Sequence, residues 1–348
     1  MFFRNRISRQ ALGLILAFCL TSIPGAFAAT RELVPMGCTV GIEMRVDGVL
    51  VVGLTEIETE SGTVSPAADA GIMPGDLIIS LAGRNLKSAQ DFIAVLAELD
   101  GNEVILKLRR GGETLERRVT PIPGGAHGYQ LGLWLRDSVA GIGTVTFFDP
   151  ASGMYGALGH PINDLDTGMI LPLGGGTILD STVVDVRRGA VGKPGELCGS
   201  FDPRTEVGSI LLNSERGIFG YYRDITGNKT AERRKAIPVA DESEISLGKA
   251  TLLCNVSGRE VREYEVEICR VYREAETSRS LMISVTDPEL LQQTGGIVQG
   301  MSGSPILQNG KLVGAVTHVL VNDPTRGYGV SVKKMLLMTE CDEMRQAA

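Results

Sequence analysis

Gln299-Gly300-Met301-Ser302-Gly303-Ser304-Pro305 is the stretch on which the reading of this chain turns. It follows a glycine-rich approach, Thr294-Gly295-Gly296-Ile297-Val298, and runs into the strand-like pair Ile306-Leu307, with the turn Gln308-Asn309-Gly310 beyond. Two readings compete. A Gly-Ser-Gly-Ser-Pro segment is ordinary turn chemistry between strands. It is also what acyl transfer needs. Small neighbours leave the Ser302 hydroxyl open to a carbonyl, and glycine lets the backbone bend until the N–H groups of Gly300 and Ser302 face one space as an oxyanion hole. The second reading requires a base and an acid elsewhere in the chain.

Outward from the loop, the chain from Tyr129 onward is a series of short strand patterns with glycine-rich turns. They run from Leu131–Leu135 and Gly143–Phe148 through Thr177–Val186, Ala250–Val256 and Glu263–Arg273 to Tyr328–Val332. Such spacing over about 200 residues predicts an all-β barrel or sandwich. A helix is predicted only at the end, over Val332–Arg345, and the single tryptophan, Trp134, reads as core.

Three histidines narrow the search for a base. His127 lies in a Pro/Gly-rich linker. His318 lies inside the strand pattern Gly314–Val321. His160 follows Tyr155-Gly156-Ala157-Leu158-Gly159 and precedes Pro161, which places it at a strand end entering a loop and favours it as the base. For the orienting acid, Asp164, Asp166, Asp287 and Asp323 are in play. Asp323 reads as a surface turn, and Asp164 and Asp166 as loop-capping residues, with Asp164 a fallback. Asp287 ends the strand Leu281–Thr286 on a proline-fixed turn and is the favoured acid.

Composition excludes other classes. The 348 residues include 44 glycines, are 43% hydrophobic and 5% aromatic, and carry a net charge of −7. This suits a folded, strand-rich protein, with no basic stripe for nucleic acid. Arg4, Arg6 and Arg9, an apolar run from Ala11, and the small-residue site Ala26-Phe27-Ala28 form an export segment over residues 1–28. It is either cleaved or kept as an anchor, since an apolar stretch of about 18 residues is the lower limit for a span. Either way the bulk is extracytoplasmic. Five cysteines remain outside this segment and fit no zinc spacing, so neither metal nor organic cofactor is indicated. Cys254 and Cys269 sit in neighbouring strand patterns, either as a cross-strand disulfide or, more simply, as buried thiols.

A second block stands upstream. Gly48–Thr55 enters a strand, and Ser65–Ile72 is a short helix closed by glycine. Met73-Pro74-Gly75-Asp76 is a tight turn into the strand Leu77–Leu81. Ser88–Leu99 has helical apolar spacing, and Val104–Arg109 with Thr114–Thr120 forms a hairpin. The Ala70-Gly71-Ile72-Met73-Pro74-Gly75-Asp76-Leu77-Ile78 segment resembles a PDZ domain of the bacterial protease type, covering residues 45–122. That resemblance implies that Val52, Gly53, Leu54 and Thr55 offer backbone N–H groups to a peptide C-terminus. Alternatively the module serves structure or autoregulation.

Three further segments resemble the stage IV sporulation protein B family: Gly156–Ile162, Ser284–Pro288 and Thr294–Ile306, with Gly314–Val319 fitting as well. The resemblance implies a mainly β chain, an N-terminal PDZ domain followed by a trypsin-like double β-barrel over residues 129–346. It implies a serine endopeptidase whose catalytic residues fall on His160, Asp287 and Ser302. It further implies an exported or membrane-associated enzyme acting between mother cell and forespore. Its partner there would be the ectodomain of stage IV sporulation protein FA, cleaved so that a late sigma factor is processed within the membrane, and the enzyme would also cleave itself. Met301 stands where many trypsin-like enzymes carry an aspartate that locks the active form, so activation by an N-terminal ion pair is not expected. A non-catalytic PDZ adaptor and a general quality-control protease are the competing readings.

Overall fold

A computed structural model describes residues 31–124, 128–223, 234–273 and 279–340. The export segment, His127 and the last residues of the predicted terminal helix lie outside them. Residues from Glu32 onward form one compact unit.

Two long strands organise the first half. β1 (Glu32–Pro35) is short, whereas β2 spans Thr39–Leu54 without interruption. The PDZ module continues with helix α1 (Pro66–Asp69), β3 (Leu77–Leu81), helix α2 (Ala89–Ala97), β4 (Val104–Arg110) and β5 (Glu113–Val119). The Met73–Asp76 turn is held from inside. The buried Asp76 carboxylate accepts two hydrogen bonds from Arg110, at 2.6 and 2.7 Å, and one from Met73 N–H. The α2 stripe of Phe92, Val95 and Leu96 packs on Val49, Val51, Ile78 and Leu106. Each such aliphatic or aromatic side chain removed from water contributes about 1.5–3 kcal/mol.

β6 (Leu133–Phe148) then returns along the whole length of β2, from the Leu133–Leu54 pair to the Thr144–Thr39 pair. The two strand patterns Leu131–Leu135 and Gly143–Phe148 are therefore one strand. Its C-terminal half goes on to β7 (Met154–Ala157), and the first half of β2 pairs with β8 (Gly175–Arg187), which pairs with β9 (Glu196–Ile210). With β10 (Gly217–Tyr221) beside β7, these strands curl around Val40, Ile42, Tyr155 and Ile178. Residues 32–46 thus belong to the peptidase sheet, and the PDZ module is inserted after its first strands. The β2–β6 ladder shifts register between the Arg45–Ser138 and Leu50–Arg136 pairs, so the expected PDZ start at residue 45 falls within β2 at this irregularity.

The second half closes on itself. β11 (Gly248–Cys254), β12 (Arg262–Val271), β13 (Leu281–Val285), β16 (Asp323–Ser331), β15 (Lys311–Leu320) and β14 (Pro305–Gln308) form a closed barrel in that order. Leu252, Val266, Ile283 and Ile306 lie in its core. The chain is mainly β, a PDZ module followed by barrel-like sheets, as the sequence predicts.

Several local expectations are corrected. Helix α3 (Pro288–Thr294) breaks the all-strand pattern, and α4 covers Val332–Thr339. Trp134 is 64% exposed rather than core, because alternation along β6 turns it outward while Leu133 and Leu135 pack inward. Cys254 and Cys269 are free thiols. Their antiparallel register pairs Cys254 with Arg262 and Gly248 with Ile268, which puts the two cysteines at opposite ends of the ladder. Among the described residues no helix is long and apolar enough to cross a membrane.

Candidate active site

His160, the predicted base, follows the curled sheet of the first half. β7 ends at Ala157, and Leu158 and Gly159 turn the chain with φ of 67° and 71°. A Cβ at Gly159 would stand 2.9 Å from side-chain atoms of Thr317 and Val330, so glycine allows this loop to press on β15 and β16. His160 follows, with Nδ1 2.8 Å from Pro161 O. A carbonyl only accepts, so Nδ1 carries the proton and Nε2 is left with the basic lone pair. Burial pushes the imidazole below its ordinary range, opposed by the Pro161 carbonyl. The next side chain across is His318 on β15, ring centroids 5.0 Å apart. Burial, His160 and Arg279 push His318 down to about 4, and its Nδ1 is buried without a partner.

The serine loop leads into β14 and is clamped by β6. Thr144 N–H donates to Ser302 O at 3.0 Å, and Thr144 Oγ1 to Gly300 O at 2.8 Å. A Cβ at Gly303 (φ 97°) would collide with Thr144 O, which makes glycine obligatory at this contact between the barrels. The N–H groups of Gln299, Met301, Gly303 and Ser304 donate to the carbonyls of Gly195, Val298, Val316 and Met301. Those of Gly300 and Ser302 donate to no carbonyl among the described residues. This is the alternation that an oxyanion hole requires. The Ser302 hydroxyl donates to Thr317 O at 2.8 Å. Ser304 is fully buried and its hydroxyl has no partner. Met301 is buried in the barrel core, its sulfur 3.5 Å from Val298 N.

Asp287 does not join this group. It is the N-cap of α3: Oδ1 accepts from Leu290 N at 3.0 Å and Oδ2 from Glu265 N at 3.2 Å. A strand-end aspartate before proline reads equally well as a helix cap, and the carboxylate is spent on backbone donors. The partner that orients His160 is the Pro161 carbonyl. Asp164 is likewise occupied, by Thr167 and Arg136.

The predicted peptide loop is also displaced. Val51 and Thr55 N–H donate to Asp76 O and Gly132 O, and Gly53 and Leu54 pair with Trp134 and Leu133. The edge that Val52–Thr55 was expected to offer is covered by β6. The outer strand of the PDZ sheet is therefore Leu133–Asp137 of β6, beside α2, preceded by Leu131 and Gly132, whose N–H groups donate to no carbonyl among the described residues.

Sequence reasoning missed two positioning residues. Thr144 has no motif around it. Asn213 receives Ile162 N–H at 2.9 Å and donates to Ile162 O and Leu171 O, pinning the loop after His160. No local pattern signals either role. Among the described residues there is no cluster of three metal-ligating side chains.

The profile of the SpoIVB peptidase S55 family matches residues 127–336, and a PDZ domain profile matches residues 59–110. Over 69 residues the chain is 36% identical to a protein of Clostridium perfringens (strain 13 / Type A) named as a proposed zinc metalloprotease. The match covers 20% of this chain, and the chain spans about a fifth (21%) of that relative. Among solved structures, the PDZ domain of the SdrC-like protein from Listeria monocytogenes matches at 25% identity and TM-score 0.21, over 26% of this chain and 87% of that one. The active form of the Rv3671c protease from M. tuberculosis matches at 15% identity and TM-score 0.33, over 58% and 74%.

Proposed function

The chain belongs to the SpoIVB peptidase S55 family, and from that premise we propose that it is a serine endopeptidase with Ser302 as nucleophile and His160 as general base. The observation that carries this is the pair of unspent N–H groups, Gly300 and Ser302, at the serine, in a loop whose Gly303 packs against Leu158, two residues before a histidine whose Nδ1 is held by a carbonyl. Ser302 Oγ bonds to the scissile carbonyl carbon as its proton passes to His160 Nε2. The oxyanion accepts from the two N–H groups. The C–N bond breaks as His160 returns the proton to the leaving amine, and water repeats the sequence on the acyl-enzyme. Pro161 O, in place of a carboxylate, keeps Nδ1 protonated throughout.

The substrate proposed from the family likeness is the ectodomain of a regulatory membrane protein, of the stage IV sporulation protein FA type, in the space between mother cell and forespore. Self-cleavage near the N-terminus accompanies it. The PDZ partner is an extended peptide that adds to the Leu133–Asp137 edge, with its carboxylate at the Leu131 and Gly132 N–H groups.

Ser302→Ala tests the assignment. Cleavage of the partner and of the chain itself should fall by about six orders of magnitude while the fold persists. Unchanged cleavage in Ser302→Ala would sink the assignment, absence of cleavage by the unaltered chain would favour a non-catalytic PDZ adaptor, and digestion of unfolded proteins at large would indicate a quality-control protease.

A further inference from the structure

The loop that follows His160 is a small rigid body. Leu171 N–H donates to Ile162 O at 3.0 Å, Asn163 bridges Ile170, and Asp164 and Met169 bond at 2.9 Å. Asn213 pins its base to the first barrel. Its tip is held from the PDZ side. The Asp164 carboxylate is fully buried. One oxygen accepts from Asp166 N, Thr167 N and Thr167 Oγ1, and the other from Arg136. Arg136 donates its second nitrogen to Asp166 at 2.6 Å. Burial works to raise the Asp164 carboxyl, and the Thr167 donors with Arg136 outweigh it, so the group stays charged. Met169 sulfur packs on Gly75 of the PDZ turn, 2.6 Å from where a Cβ would stand.

Arg136 lies on β6 opposite Leu50, within the stretch whose outer edge is open. Its backbone is thus part of the PDZ sheet, and its guanidinium grips a loop that starts two residues after the base. A buried carboxylate with a forked cationic partner has two ligating directions and little freedom.

We propose that Arg136 is a positioning residue for peptide hydrolysis: through Asp164 and Asp166 it sets the loop that carries His160, tying the base to the strand edge that receives peptide. The proposal rests on the reading of His160 as general base. Peptide addition along Leu133–Asp137 therefore changes turnover rather than only recruiting substrate.

Two measurements on the full chain test it. In Ser302→Ala, the His160 imidazole titration is followed by NMR with and without Arg136→Ala. In the active enzyme, kcat and KM for a peptide are measured for Arg136→Ala and Arg136→Lys, normalised to active sites. Arg136→Ala should shift the His160 midpoint upward, as water reaches the ring. It should also lower kcat by about 10- to 100-fold with KM within about twofold. Arg136→Lys should recover part of the loss, and ethylguanidinium should restore Arg136→Ala. A purely structural arginine would lower the melting temperature and leave the kcat of folded enzyme and the His160 midpoint unchanged, which overturns the proposal. The NMR arm decides the positioning role even if the wild-type chain cleaves nothing, an outcome that removes the proposed function instead.

Discussion

Gly303 and Ser304, neighbours in one loop, should respond in opposite ways to alanine. At 303 a methyl group meets Thr144 O, the contact by which β6 turns the Ser302 carbonyl inward, so Gly303→Ala should cost several orders of magnitude in activity or abolish folding. At 304 the same change removes a buried hydroxyl that has no partner. Ser304→Ala should therefore be neutral to stabilising by about 1 kcal/mol and should keep peptidase activity. Thermal melts and peptide kinetics distinguish the two. The histidines add a pH signature. His160 must be neutral to accept a proton, and burial holds it below the ordinary value of 6.5. Hence kcat/KM should rise through a midpoint below 6.5 and stay high in mildly acidic buffer. His318, pushed down to about 4, binds protons more readily when unfolded. Stability should be lost as pH falls from about 6.5 towards 4, and His318→Phe should blunt that loss in acid melts.

Helix α3 explains the element-scale error. Pro at its first position, Asp287 at the N-cap and Gly295 in the left-handed region at its end form a complete set of start and stop signals. With only seven residues it gives too little apolar periodicity to register as a helix. Asp287→Ala leaves two backbone N–H groups without acceptors and should destabilise the fold by about 1–2 kcal/mol. Asp287→Asn, which keeps one acceptor, should lose less by denaturant titration. The β2–β6 ladder misled for the reverse reason. Its two strands switch from one sheet to another along their length, so each half shows a different pattern of inward residues, and the middle reads as a gap.

At the scale of the molecule, the PDZ module and the peptidase share β2 and β6, and residues from Glu32 onward form one compact unit. A fragment starting at residue 129 lacks β1 and the first half of β2 and should not fold. A chain in which residues 46–137 are replaced by a short turn keeps the Arg45–Ser138 pair as a hairpin end and should retain the barrel. Calorimetry of the full chain should show one transition, and two well-separated ones would contradict shared strands.

Residue order alone determined the strand-rich class and the PDZ block at Ala70–Ile78, and it singled out the serine loop and the strand-end histidine. Those features are local: turn residues, periodicity and a short motif each act within a few positions. Only the tertiary structure decided that Asp287 caps a helix, that His160 Nδ1 meets Pro161 O, and that the PDZ edge strand comes from Leu133–Asp137. It also put Thr144 on the serine loop, and Asn213 and Arg136 on the loop after His160. The β2–β6 edge and the Thr144 contact join segments some eighty to one hundred and sixty positions apart and are set by strand register, which leaves no trace in the neighbouring sequence. The Asp287 and Pro161 contacts are local, but each residue fits more than one role until the fold shows which groups lie within reach.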